Sequence, residues 1–277
     1  MRNKKVAILL YGHMRTYQKC YSSLLDNLDC NEIDIYIHTW NKKQRTTLSF
    51  YDVKENSNLE MSKDEIIKCY KPKSLVVENE LAIDEEKCSH TGFSLKGLYS
   101  MHYSLSRVTQ QVINSGSSYD AYIITRPDVI LKSKLNITSL IYYFSNYAKD
   151  IPNIFRASYY IPLESNNIDY FRYSGATDCL MVCNELAVRA VSKLHNDKDI
   201  RHRKVVKWAE DSFDIYLAKA GVLDKKLNYL APYDWGLLRS SGEEIKNRVA
   251  ILREIKLILQ RLKKIIKLIR NGLRKSE

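Results

Sequence analysis

No stretch of the 277-residue sequence approaches the ~20 consecutive apolar residues that a bilayer-spanning helix needs, so no transmembrane helix is expected. The N-terminal Met1-Arg2-Asn3-Lys4-Lys5 is basic, as a signal peptide would be. The apolar run that follows, Val6 to Tyr11, stops at Gly12-His13-Met14-Arg15. It is shorter than the ~7–15 residues of a signal core and has no small-residue cleavage site, so it reads as the first β-strand of a cytosolic protein. Among six cysteines (Cys20, Cys30, Cys69, Cys88, Cys179, Cys183) there is no Cys-x-x-Cys with a matching histidine pair. A zinc site is therefore not expected, and all six are read as reduced thiols. Internal repeats and low-complexity segments are absent too.

What is present suits one large α/β domain with an appendage. Hydrophobic residues make up 45% of the chain, enough for a packed core, and the 20 tyrosines far outnumber 6 Phe and 3 Trp. The net charge of +12 is uneven. Residues 245–277 hold eleven basic side chains and two acids, Glu254 and Glu277, which leaves +3 for everything before them. A nearly neutral body argues against a nucleic-acid-binding body. Along residues 245–273 the apolar positions Ile245, Val249, Leu252, Ile255, Leu259, Leu262, Ile266, Ile269 and Leu273 form one stripe amid Lys and Arg. Such a basic amphipathic helix suits an anionic membrane interface, each cation adding ~1 kcal/mol. A coiled-coil or a helix packed on the body would share the pattern.

The first half alternates strand and helix. Residues 5–11 form a continuous apolar run of the kind buried in parallel sheets. A helix is expected over about 16–28 and a strand at Ile33–Trp40. A helix follows at Ser62–Tyr70 with Ser62 and Glu65 as a capping box, then a short strand at Ser74–Glu78. A longer helix, Ser94–Asn114, carries Leu95, Leu98, Met101, Leu105, Val108 and Val112 at 3–4 spacing and ends at Gly116. The strand Tyr119–Thr125 then runs into Arg126-Pro127-Asp128. Repeated βαβ units mean a mainly parallel sheet flanked by helices. The second half is less regular: strands at Ile154–Ile161 and Asp178–Cys183, helices at Glu185–Leu194 and about 204–220 stopped by Gly221, then the tail helix from Glu243 to Leu273.

Ligands of open α/β sheets bind at the carboxyl ends of strands. Three such ends are polar here: Gly12-His13-Met14-Arg15, His38-Thr39-Trp40-Asn41 and Thr125-Arg126-Pro127-Asp128. A glycine followed by an arginine suits a phosphate, because the backbone approaches closely and the guanidinium binds in two places. An ordinary βα turn has the same sequence. An Asp leaving a buried strand can hold Mg²⁺ or Mn²⁺ against a diphosphate, and Pro-Asp is equally at home in a plain turn.

The series Val6–Tyr17, Ile33–Trp40 and Tyr119–Asp128, with Tyr70-Lys71-Pro72-Lys73 and the helix up to Asn114, resembles bacterial glycosyltransferases of lipopolysaccharide, O-antigen and capsule biosynthesis, including the WavE-like group. The likeness covers residues 5–130 and thins from 170 to 240, where Gly175-Ala176-Thr177-Asp178 and Trp208-Ala209-Glu210-Asp211 fall among acceptor-side elements. It implies a GT-A-like fold and transfer of a sugar from a nucleotide-sugar donor. It also implies a donor site at Gly12, Arg15, Arg126 and Asp128, with Asp128 as ligand of Mn²⁺ or Mg²⁺; His38, from its place at a strand end, could touch the same ligand. Arg126 stands where the family's Asp-x-Asp motif has its first Asp, so Arg126 itself could neutralise the leaving diphosphate. An inverting transfer needs a general base, for which Asp178, Glu210 and Asp211 are the candidates; a retaining one needs none.

The expected organisation is a catalytic domain over 1–242, split near residue 130 into nucleotide-sugar and acceptor halves. Residues 243–277 would be a membrane-association helix. The protein would sit peripherally on the cytoplasmic face of the inner membrane and extend a lipid-linked oligosaccharide. The rivals are a nucleotidyltransferase, for which Gly12-His13-Met14-Arg15 is a poor Gly-rich loop, and a non-catalytic scaffold that keeps the fold.

Overall fold

The computed structural model describes residues 4–43, 60–83, 95–159, 176–197, 209–231 and 234–237. In chain order these form β1 (Lys5–Tyr11), α1 (Tyr17–Asp26), β2 (Glu32–Trp40), α2 (Lys63–Tyr70), β3 (Ser74–Glu78), α3 (Leu95–Asn114), β4 (Ala121–Thr125), β5 (Val129–Leu131), α4 (Ile137–Tyr147), β6 (Asn153–Tyr159), β7 (Ala176–Cys183), α5 (Glu185–Val191), a 3-10 turn (Leu194–Asn196), α6 (Ala209–Lys219), β8 (Leu223–Ala231) and β9 (Trp235–Leu237). The tail helix expected over 243–273 lies outside the described residues.

β1 is buried and apolar after Lys5 because helices cover both of its faces. Val6, Ile8 and Leu10 enter one core with α1, α2 and α4, while Ala7, Leu9 and Tyr11 enter the other with α3, α5 and α6. Burial of each such aliphatic side chain stabilises by about 1.5–3 kcal/mol. β2 and β4 flank β1 in parallel register, and β3 extends the sheet beyond β2. β7 runs antiparallel to both β4 and β6, and β8 is parallel to β6. The described sheet thus has seven strands in the order β3-β2-β1-β4-β7-β6-β8, all parallel but β7. This is the mainly parallel, helix-flanked α/β sheet that the sequence implied. The chain steps outward from β1 to β2 and β3, then returns to place β4 on β1's other side. That reversal, at the carboxyl ends of β1 and β4, is the switch point where open α/β sheets bind their ligands.

Local chemistry explains the element ends. Ser62 Oγ accepts from Glu65 N at 3.3 Å at the start of α2. The expected capping box is half made, because the Glu65 carboxylate accepts from Tyr17 Oη at 3.2 Å and so ties α2 to α1. Asn136 caps α4 by accepting from Ser139 N at 2.9 Å, which gives the triplet Asn136-Ile137-Thr138 a structural role. Arg156 on β6 is buried and ion-paired with Asp214 of α6 and Asp224 of β8, binding three elements of the second half together. β9 pairs antiparallel with β5, so a separate two-stranded sheet begins immediately after Asp128.

Candidate active site

The loop after β1 is shaped by two left-handed residues. Gly12 has φ +90°, and its N–H donates to Ser104 Oγ of α3 at 2.8 Å. Nothing lies within 4 Å of where a Cβ would sit, so glycine is required there by conformation and not by space. Arg15 has φ +38°, a conformation that costs a non-glycine residue roughly 1–3 kcal/mol. Its backbone N donates to Lys43 O at 3.0 Å. From this strained turn the side chain reaches the turn after β4, where Nη1 donates to Asp128 Oδ2 at 2.8 Å.

Asp128 receives a second guanidinium from its own turn. Arg126 donates Nε to Oδ1 at 2.9 Å and Nη2 to Oδ2 at 2.7 Å, a two-pronged fork. The Arg126 backbone N donates to Cys179 O at 3.1 Å, so β7 fixes the end of β4. Burial alone would lower the pKa of Arg126; the adjoining Asp128 carboxylate outweighs it and holds the guanidinium well above its ordinary value. The three side chains are layered. Asp128 has no exposed side-chain surface, whereas Arg15 keeps 10% and Arg126 19%. Two partly buried cations therefore pair with one fully buried anion.

Asp178, near the start of β7, joins the same end of the sheet and is 7% exposed. Tyr11 closes β1 by donating its hydroxyl to Asp178 O at 2.6 Å, and its Oη lies 3.4 Å from Asp178 Oδ2. Burial, and then the Asp178 charge, push the Tyr11 phenol well above its usual range, so it stays a donor. Glu210 and Asp211 fall in the first turn of α6, and their side chains lie outside the described residues.

Asp128 was the residue expected to hold Mn²⁺ or Mg²⁺. Its two oxygens already accept three N–H bonds from cations, and it has no surface open to an ion. Among the described residues, no three His, Cys, Asp or Glu side chains gather as a metal site. A divalent ion does not fit this carboxylate as it stands.

His38 has no exposed surface, and both ring nitrogens are engaged: Nδ1 with Ser104 Oγ at 2.7 Å and Nε2 with Glu78 Oε2 at 3.2 Å. Glu78 Oε1 also accepts from Arg107 Nε at 3.2 Å and Nη2 at 2.7 Å. These contacts set the direction of every bond. An ionised Glu78 can only accept, so Nε2 carries the His38 proton. Nδ1 then accepts from the Ser104 hydroxyl, whose oxygen accepts from Gly12 N–H. Burial, opposed in part by Glu78, lowers the His38 pKa to about 4, and the ring is neutral at pH 7. His38 thus acts on Gly12 through Ser104 and has no ring nitrogen left for a ligand.

Sequence reasoning missed Ser104, Glu78 and Tyr11 as members of the site. Ser104 carried a signal: it sits three residues after Met101 and four before Val108, a hydroxyl set into an apolar helix face, and such a hydroxyl must find a partner.

Neither a family model nor a curated protein sequence matches the chain. Among solved structures, mouse xyloside xylosyltransferase 1 in its apo form is similar at 14% identity, covering 82% of this chain and 85% of its own, with a TM-score of 0.40. A glycosyltransferase involved in glycosylation of the major capsid of PBCV-1 is similar at 11% identity, covering 80% of this chain and 81% of its own, with a TM-score of 0.39. Likenesses of that strength assign no residue or activity to this chain.

Proposed function

We propose that the protein is a glycosyltransferase that moves a sugar from a nucleotide-sugar donor to a lipid-linked oligosaccharide in bacterial surface-polysaccharide synthesis. The observation that carries the reading is the meeting of Arg15, from the turn after β1, with Arg126 and Asp128, from the turn after β4, at the point where the strand order reverses. A tight backbone turn and two guanidiniums are what a nucleoside diphosphate needs: close approach and forked donors for its oxygens.

In the reaction, an acceptor hydroxyl bonds to the anomeric carbon of the sugar. The bond from that carbon to the diphosphate oxygen breaks, and its electron pair stays on the departing diphosphate. In an inverting transfer, the hydroxyl proton passes to a carboxylate. Asp178 is the proposed base because it borders Tyr11 and Cys179, which contact the donor-side strands; Glu210 and Asp211 are the alternatives on α6. The lipid-linked acceptor, the inner-membrane surface and the two-part division of 1–242 belong to this proposal, as does residues 245–273 as the membrane contact. No helix among the described residues is long and apolar enough to cross a membrane, which is compatible with attachment through that tail.

The test is thermal denaturation with UDP-, GDP-, dTDP- and CMP-sugars. A ligand at a hundred times its dissociation constant adds about 2.7 kcal/mol, which raises the melting temperature by several degrees in a domain of this size. A shift with one nucleotide class is expected; no shift with any would return the chain to the scaffold reading.

A further inference from the structure

We propose that Tyr11 and Thr177 are positioning residues for Asp178, which they hold at an irregularity built into β7. The inference rests on Asp178 as the base of the transfer and deepens that reading by naming what fixes its carboxylate.

β7 lies between β4 and β6 in the described sheet. Its pairing with β6 is regular from Cys183 to Met181 and then breaks. Arg156 faces Met181 and Ser158 faces Ala176, so Ala157 alone is opposed by the whole stretch Thr177–Leu180. On the other side, the β4 ladder holds as far as Leu180, opposite Thr125. Asp178 therefore leaves the ladder where β1 and β4 end, beside Tyr11. A bulge gives up ladder hydrogen bonds, and what it gains is a side chain re-aimed, commonly next to a functional site.

The backbone groups of the bulge are taken up again by specific partners. Cys179 N–H donates to Thr177 Oγ1 at 2.9 Å, and Asp178 O accepts from the Tyr11 hydroxyl at 2.6 Å. Cys179 O accepts from Arg126 N at 3.1 Å and from Thr125 Oγ1 at 2.9 Å. Thr177 and Tyr11 are both buried, so losing either hydroxyl leaves a backbone group unpaired away from water. The Asp178 carboxylate is held less tightly than its backbone. Tyr11 Oη and Cys179 Sγ each lie 3.4 Å from one of its oxygens. The single phenolic proton is committed to Asp178 O, and a thiol is a weak donor. The carboxylate is thus placed by its backbone and keeps the capacity to accept a shorter bond from a substrate hydroxyl.

Turnover by the full chain tests the inference, read as nucleotide released from UDP-glucose, UDP-N-acetylglucosamine, GDP-mannose and dTDP-glucose with water as acceptor. Water bonds to the anomeric carbon, the bond from that carbon to the diphosphate breaks with its electron pair on the leaving group, and the water proton passes to Asp178. Thr177→Val removes the acceptor for Cys179 N–H, and Tyr11→Phe removes the donor to Asp178 O. Each should lower kcat about tenfold with KM for the donor within about twofold, and Thr177→Ser should keep kcat within about threefold of wild type. In an Asp178→Asn background, neither substitution should lower kcat by more than about twofold, because nothing is left to position. A full loss in that background, unchanged kcat in the folded single variants, no rescue by serine, or near-normal turnover by Asp178→Asn alone would each overturn the inference and leave the nucleotide-sugar reading standing. No release from any donor by the wild-type protein would overturn both. The two substitutions report independently, so if one fails to fold the other decides.

Discussion

His38 should make the stability of the fold depend on pH between about 4 and 6.5. Unfolded, its imidazole titrates near 6.5; in the fold, burial brings the pKa to about 4. Between those values the unfolded chain binds the extra proton and the native one does not. Stability from the neutral ring is therefore fully present above pH 6.5 and is lost as pH falls toward 4. From pH 7 to pH 5 the loss is about 2 kcal/mol. The charged and polar groups facing the ring include Glu78, Arg107, Ser104 and Tyr103. Glu78 is held below its usual 4.5 and Asp34 below 3.8, so both titrate under the window. The assay is urea unfolding of the wild-type protein and His38→Gln at pH 7, 6 and 5. The variant should start less stable and lose about 2 kcal/mol less over the range. Two curves that fall in parallel would refute the buried neutral histidine, whatever the offset between them.

Two other outcomes bear on the activity. Asp178→Asn should lower kcat by about a hundredfold or more, the scale of a lost general base, with KM and melting temperature little changed; near-normal turnover would move the base to Glu210 or Asp211. Truncation after residue 242 should release the protein from vesicles rich in anionic lipid, since it removes eleven cations worth ~1 kcal/mol each at the surface. Continued co-sedimentation would place membrane binding on the body.

The first half of the fold was legible because its physics is local and periodic. β1, β2 and β4 are apolar enough to be read as buried strands, α3 announces itself by 3–4 spacing, and Gly116 and Gly221 follow helices at positive φ. The sequence did not disclose β8, which carries Asp224 and Lys225 and stands at the end of the described sheet, where charge is tolerated. It did not disclose α4 either: Ile137, Tyr142, Tyr143 and Phe144 give that helix a strand-like composition. β5 and β9 are three residues each and acquire meaning only from one another. At the site, strand ends pointed to Arg15, Arg126 and Asp128 separately. Their mutual engagement was invisible, because Arg15 and Asp128 are 113 residues apart and meet only through the sheet. His38 was visible as polar, but its burial depends on Ser104 and Glu78, 66 and 40 residues downstream.

The pairing of β5 with β9 sets an order of events during synthesis. Asp128 leads directly into β5, whose antiparallel partner, Trp235–Leu237, is made about a hundred residues later. Lys132 N also donates to Asp234 O at 2.7 Å, and Ser133 Oγ to Asp234 Oδ1 at 2.7 Å. A ribosome that has delivered only the first four strands has made both arginines, but not the strand that anchors the segment leaving Asp128. Prematurely terminated chains would then lack the strand that pairs with β5, and the segment leaving Asp128 would be anchored only once residues 234–237 have been made.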